Sequence, residues 1–475
     1  MSGLFGVVSK NEPCVQTLFY GTDYHSHLGT EYGGMAVLGE NFYHKIHAIN
    51  QSQFKSKFFD DYRHMEGKKG IGVISDAEEQ PIFTHSRFGS FFIVTAGMIE
   101  NKDVLIEELL AAGLSFSEPS RTGVNTTELI AKLITTGKDL LDGIEKMFDK
   151  IHGSCSLLIL HEKGIYAARD RNGFTPIVLG KKDGMWAVTS ETCAFTNLGF
   201  EIVKFLQPGE IILLNENEGL VSQAPGNTDN HICTFLWIYT GFPASSYENI
   251  SVEVVRERCG RALARQDKDI DADVICGVPD SGVGHAIGYA MESRKSYRRP
   301  LVKYTAGYGR SYTPPSQETR DLVAKMKLIP IRSIIEGNRL VVCEDSIVRG
   351  TQLKNFAIQK LWDCGAKEVH VRPACPPLLF PCRFCLSTRT VQELVARRAI
   401  RALEGRETEE IGEYLDPKTE KYKKMVQWIE RDLEVTTLRY LTAEDMVKAI
   451  GLPKEKLCLY CWTGKCPEGA ENKKS

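Results

Sequence analysis

The sequence predicts an α+β sandwich of layered sheets and helices over residues 2–230, a parallel-sheet α/β domain over 231–390, and a helical extension over 391–475. Three observations carry this reading. The first zone is a succession of short apolar stretches of strand length with only two helical patterns among them. The second alternates strand and helix, as parallel pairing requires. Past about residue 390 the pattern turns helical and charged and ends in a cysteine-bearing tail.

In chain order, the strand candidates of the first zone are SGLFGVVS, GGMAVLG, GIGVIS, FFIVTAGMI, CSLLILH, GIYAARD, MWAVTSE and GEIILLNE. The helical patterns fall near Asp103–Ala112 and Thr127–Leu140. The polar run SQAPGNTDN, Ser222–Asn230, reads as the linker. In the second zone, DVICGVPDSGVG (Asp273–Gly284) and LVVCEDSIVRGTQ (Leu340–Gln352) are apolar strands that run into small-residue loops. The first of these loops opens the helical pattern HAIGYAMES. No internal repeat or low-complexity tract is present.

Composition narrows the function classes. A chain of 475 residues is too long for one hydrophobic core, so two or three domains are expected. A net charge of −2 gives no global pull towards nucleic acid or anionic membrane. No apolar run approaches a membrane span, and the N-terminus has no signal-peptide pattern, so a cytoplasmic protein is expected. Fourteen cysteines in a reducing compartment point to metal binding or buried thiols rather than disulfides.

Glu344 and Asp345 close a buried strand and precede a loop that opens a helix. The unpaired N–H groups of such a loop receive phosphate, and adjacent acids bind ribose hydroxyls directly or through Mg²⁺. Ser346, Val348, Arg349, Gly350 and Thr351 form that loop, with the small residues allowing close approach and Thr351 adding a hydroxyl. An acidic pair in a strand–turn–helix, taken alone, is most simply a solvated surface feature. Here a second loop, Asp280, Ser281, Gly282 and Gly284, suits a pyrophosphate, with Ser281 near a metal. Two such loops on parallel strands of one open sheet gather ligand groups at the strands' carboxyl ends. The 340–352 segment closely resembles the phosphoribosyl pyrophosphate (PRPP) signature of type I phosphoribosyltransferases.

The resemblance extends along nearly the whole chain. GLFGVV, SETCAF (Ser190–Phe195), PGEIILLN (Pro208–Asn215), VPDSG, MKLIPIRSIIEG (Met326–Gly337), EDSIVRGT and CLYCWTG occur in the order found in the glutamine PRPP amidotransferase family. Membership implies an N-terminal-nucleophile hydrolase-like sandwich joined to a type I phosphoribosyltransferase domain. In that family the first half releases ammonia from glutamine, and the second uses it to displace pyrophosphate from PRPP. A homo-oligomer is expected on the same basis, and nucleotides are possible ligands.

The glutaminase half departs from the family where chemistry is done. The family's mature N-terminal cysteine is replaced by Ser2, which methionine removal would expose. Its His-Arg-Gly-Gln is His27-Leu28-Gly29-Thr30. The arginine that grips the glutamine carboxylate falls at Ser75, and the aspartate that holds the α-ammonium falls at Thr126. The oxyanion segment Asn-Gly-Asn-Leu is Ala96-Gly97-Met98-Ile99. One lost oxyanion donor costs roughly 10²–10³ in rate, and both charged ends of glutamine would lack partners. A retained scaffold without glutaminase activity is expected.

By the same resemblance, Ser281, Glu344 and Asp345 are the Mg²⁺ and ribose ligands, Asp280–Gly284 holds pyrophosphate and Ser346–Thr351 the 5-phosphate. Lys303–Gln317, KYTAGYGRSYTPPSQ, corresponds to the family's lid, in which Lys303 and Arg310 are candidates for contacting the leaving group. Gln352 replaces a usual threonine. The segment Leu236–Ala244, LWIYTGFPA, replaces a family stretch carrying a carboxylate, an arginine and an aspartate near the junction between the two activities. The nucleophile is therefore open between ammonia, free or from a partner glutaminase, and another amine. A PRPP-sensing partner of an active paralogue is the alternative. Cys233, Cys382, Cys458 and Cys461 match the family's [4Fe–4S] ligands, with four-cysteine zinc and buried free thiols as alternatives.

Overall fold

The computed structural model describes residues 2–120, 123–304, 328–384, 388 and 390–466. Two antiparallel sheets build the N-terminal half. The first orders its seven strands as Glu201–Phe205, Val178–Lys182, Met185–Thr189, Gly3–Ser9, Lys69–Ser75, Tyr32–Leu38 and Phe42–Ala48. The second runs Gly219–Ala224, Ile211–Asn215, Gly164–Ala168, Gly153–His161, Gly89–Ile99 and Ile82–Ser86. Their inner faces meet through Leu4, Val8 and Ile71 on one side and Phe92, Leu158 and Ile212 on the other. Both faces of these central strands are covered, which is why they read as apolar runs rather than as alternating patterns.

Helices close the outer faces. Lys102–Ala111, Thr126–Thr135 and Leu140–Lys150 pack on the second sheet, and Val15–Asp23 packs on the first. The expected single helix Thr127–Leu140 is two helices, because Gly137 interrupts it and Asp139 caps the next by accepting from the Asp142 N–H. The helix Val15–Asp23 escaped the sequence pattern: its residues VQTLFYGTD carry a strand-like composition, and tertiary packing against the first sheet decides its conformation. The linker begins later than expected, since the last sandwich strand runs through Ala224.

The C-terminal half holds a four-stranded parallel sheet ordered Val274–Gly277, Arg339–Glu344, Glu368–Pro373 and Thr437–Leu438. Both faces are buried. Ile275, Val341 and Cys343 face a core with the helix Val252–Gln266, whereas Val274, Leu340 and Val342 face the helix Val395–Glu404. Residues beyond 390 therefore share the transferase core, and Thr437–Leu438 extends its sheet. The chain end returns to the start of this half, where Leu457–Cys458 pairs in parallel with Ile232–Cys233. Among the described residues no helix is long and apolar enough to cross a membrane.

Candidate active site

Parallel pairing aligns Gly277 with Cys343, so the two loops that follow leave the same edge of the sheet side by side. Val278 N–H donates to the Cys343 carbonyl at 3.0 Å. Glycine is required at 282, where a Cβ would lie 2.3 Å from that carbonyl oxygen. Gly350 takes φ +77° in the turn that opens the second helix. Ser281 Oγ donates to Glu344 Oε1 at 3.1 Å, the Asp345 N–H donates to the same oxygen at 3.0 Å, and Ser346 Oγ donates to Asp345 Oδ1 at 2.6 Å. Ser281, Glu344 and Asp345 thus form one contiguous oxygen-rich patch.

Its electrostatics ask for a cation. Burial, and next the charge of Asp345, push the Glu344 carboxyl well above the ordinary carboxylate range. A divalent ion beside the pair would reverse that penalty, and carboxylate and hydroxyl oxygens are suitable Mg²⁺ donors. Lys303 Nζ pairs with Asp280 Oδ2 at 2.7 Å, at the base of the antiparallel pair Leu301–Lys303 and Leu328–Pro330. Arg310 and the rest of the expected lid segment after Tyr304 lie outside the described residues. Arg349 pairs with Glu393 at 3.1 Å, and the Val348 carbonyl accepts from Val395 N–H at 2.7 Å, so contacts from beyond residue 390 brace the Ser346–Thr351 loop. A cavity of about 430 Å³ adjoins the Asp280–Gly284 loop, lined in part by Pro243, Glu253, Asp280, Tyr297 and Arg299.

In the N-terminal half, Gly3 pairs with Ile74, which places Ser2 next to Ser75 at the same sheet edge. Ser75 Oγ accepts from the Ala77 and Glu78 N–H groups. Thr126, at the start of its helix, binds a carboxylate: Glu78 accepts from Thr126 N and Thr126 Oγ1, each at 2.7 Å, and from Thr127 N at 3.2 Å. Glu78 is 9% exposed. The chain's own acid therefore takes the helix-terminal donors beside Ser75 and Thr126. Sequence reading missed Glu78 because nothing in DAEEQ distinguishes it from a solvated acid.

The thiols Cys233, Cys382, Cys458 and Cys461 are gathered at the return of the tail. Cys233 faces Cys458 across paired strands, and Cys461 shares a hydrogen bond with Cys382. Burial and then Cys233 push the Cys458 thiol well above its usual range; for Cys461 the bond to Cys382 and then burial do so. Among the described residues no group of three or more His, Cys, Asp or Glu side chains stands ready to hold a metal ion. The residue types are nonetheless those that a soft metal or iron–sulfur cluster takes, with Cys458 and Cys461 buried and Cys233 and Cys382 partly exposed. Cys466 lies beside them and accepts from Arg383 at 3.5 Å; Cys385 lies outside the described residues. Arg383 also pairs with Glu100 at 2.6 Å, and Phe384 stacks on Phe174 at 4.0 Å, so the Cys382 loop is tied to the N-terminal half.

Comparison with known proteins follows the same division. A family model described as a glutamine amidotransferase domain matches residues 69–197. The amidophosphoribosyltransferase of Methanocaldococcus jannaschii is 34% identical, covering 98% of each chain. The chain belongs to the amidophosphoribosyltransferase family. The Bacillus subtilis amidophosphoribosyltransferase is 31% identical over 98% of this chain and 94% of its own. The B. subtilis glutamine PRPP amidotransferase, solved with ADP and GMP, superposes with a TM-score of 0.84 at 30% identity, covering 99% and 98% of the two chains. A structure described as the allosteric regulatory enzyme of purine biosynthesis gives 0.85, also at 30% identity, covering 100% and 97%. The architecture is that of amidophosphoribosyltransferases, a glutamine amidotransferase sandwich of the N-terminal-nucleophile type followed by a phosphoribosyltransferase domain.

Proposed function

We propose that this amidophosphoribosyltransferase relative binds Mg²⁺–PRPP and transfers its phosphoribosyl group to ammonia or another amine, without glutaminase activity of its own. The observation that carries the proposal is an asymmetry between the halves. The Ser281–Glu344–Asp345 patch and its two phosphate loops converge, whereas Glu78 occupies the helix-terminal donors of the other half.

Ser281, Glu344 and Asp345 would hold the Mg²⁺, which when bound neutralises the pyrophosphate and makes it a better leaving group. The N–H groups of Ser346–Thr351 receive the 5-phosphate, and Asp280–Gly284 receives the pyrophosphate. Lys303, set beside Asp280, supplies positive charge where the leaving group departs. The amine's lone pair forms the bond to C1 as the C1–O bond to pyrophosphate breaks, and the new substituent then sheds a proton. Ammonia arrives free or from a partner glutaminase. The B. subtilis relative is described with ADP and GMP, and the cavity beside the pyrophosphate loop offers room for a nucleotide here.

A second reading, a catalytically silent PRPP or nucleotide sensor that assembles with an active paralogue, draws its support from the apolar Leu236–Ala244 junction. Pyrophosphate release from Mg²⁺–PRPP on adding ammonium salts or primary amines decides between them. Release above the buffer rate is expected; tight PRPP binding without release for any amine would favour the sensor.

Purified protein is expected to release no glutamate from glutamine, with or without PRPP, above the level of a Ser2→Ala variant. A steady excess over that variant would reveal a rebuilt site. For the four thiols, the proposal is a [4Fe–4S] cluster: anaerobic purification should give a brown protein with about four iron atoms per chain. Stoichiometric zinc with no iron would overturn the cluster in favour of a four-cysteine zinc site.

A further inference from the structure

Glu191 belongs to the SETCAF segment of the N-terminal half and takes no part in the chemistry described above. It is 1% exposed and gathers five donors, among them the neighbouring Cys193 thiol on Oε2 at 3.6 Å. Ser245 Oγ donates to Oε2, Tyr247 OH to Oε1 at 2.6 Å, the Phe242 N–H to both oxygens at 3.3 and 3.4 Å, and His27 Nε2 to Oε1 at 3.1 Å. Three of the five come from the entry to the transferase half. Burial alone would raise this carboxyl, but the bonds from His27, Ser245 and Tyr247 outweigh it and hold the group below the ordinary range.

The same entry segment is held from its other side by groups next to the sugar-phosphate loops. Arg256 donates to the carbonyls of Trp237 and Tyr239 at 3.0 Å and of Gly241 at 2.8 Å. His285, on the helix opened by the pyrophosphate loop, bonds the Ile238 carbonyl at 3.2 Å. Both Arg256 and His285 lie within the field of Asp345. The stretch Leu236–Tyr247 is therefore held between Arg256 and His285 on one side and one buried carboxylate of the other half.

We propose that Glu191 is a positioning residue for the transfer reaction: its carboxylate fixes Leu236–Tyr247 as the wall along which the amine approaches the sugar. The inference rests on the transferase reading above. A free carboxylate accepts all these donors at once, whereas an amide has one acceptor oxygen. Glu191→Gln therefore keeps the volume and breaks the clamp on one side only, leaving Arg256, His285 and the acid patch in place.

Two measurements on the full-length protein test this. Hydrogen–deuterium exchange of Leu236–Tyr247 should quicken about 10- to 100-fold in Glu191→Gln, as expected for one or two lost bonds to a charged acceptor, and less in Tyr247→Phe. The KM for the amine should rise by a similar factor while Mg²⁺–PRPP affinity stays within about twofold, a split that general destabilisation would not produce. Unchanged exchange in Glu191→Gln, or a parallel loss of PRPP affinity in both variants, would overturn the proposal. If the wild-type chain releases no pyrophosphate with any amine, the transferase reading fails and with it the catalytic meaning of the wall. The exchange measurement then still decides whether Glu191 holds the segment.

Discussion

Mg²⁺–PRPP binding is expected to collapse when the metal is removed or when Asp345 is replaced by alanine. The ligand carries a highly anionic pyrophosphate and phosphate, and the patch that meets it already buries Glu344 and Asp345 at 7% and 6% exposure. Without a cation the like charges repel, and the Glu344 carboxyl is already forced towards its neutral form. The acids can help only through a metal that both sides share. Removing one of them should cost about 2–5 kcal/mol, or roughly 30-fold to several thousand-fold in affinity. A nucleoside monophosphate, which needs only the N–H groups of Ser346–Thr351, should lose far less in the same variant. Calorimetry with PRPP, with and without Mg²⁺, reads both effects. Failure of the intact protein to bind PRPP at millimolar concentration with Mg²⁺ present would remove both the transferase and the sensor readings.

The largest expected stability effect lies away from the site. Asp267 and Arg372 form a fully buried ion pair, and Asp267 also accepts from Tyr289 OH at 2.9 Å and from Arg439 at 2.8 Å. Arg372 further donates to Thr437 Oγ1 at 3.0 Å. The network ties the end of the helix Val252–Gln266 to the third and fourth parallel strands. Asp267→Asn leaves the Arg372 guanidinium buried without its counter-charge, which should cost about 3–5 kcal/mol. The double variant Asp267→Leu/Arg372→Met should cost less than that single change, because neither charge is then stranded. Urea unfolding followed by tryptophan emission measures it, since four of the five tryptophans, Trp237, Trp362, Trp428 and Trp462, lie in the transferase half. A midpoint for Asp267→Asn matching that of an exposed-residue control would contradict the account.

Local signals in the chain sufficed for the strand-rich first half, the alternating second half and the two loops after Gly277 and Glu344, because glycine, serine and paired acids at strand ends have chemical consequences that need no partner to be seen. The family resemblance adds the expectation that Ser2, Ser75, Ala96 and Thr126 stand where a glutaminase uses other groups. Only tertiary structure decided what surrounds those positions. Glu78 reads as one surface acid among several until the sheet edge brings it to the first turn of the helix at Thr126. Glu191 reads as part of a motif without a task until folding carries Ser245 and Tyr247 to it from more than 50 positions away. The division after 390, plausible from charge and periodicity, is not a division of the core, because Val395, Ile429 and Leu438 complete one face of the parallel sheet. Periodicity reports which face of an element is apolar. Which distant donor satisfies a buried carboxylate, and which helix covers a sheet, depends on contacts between residues far apart in the chain, and those exist only once it has folded.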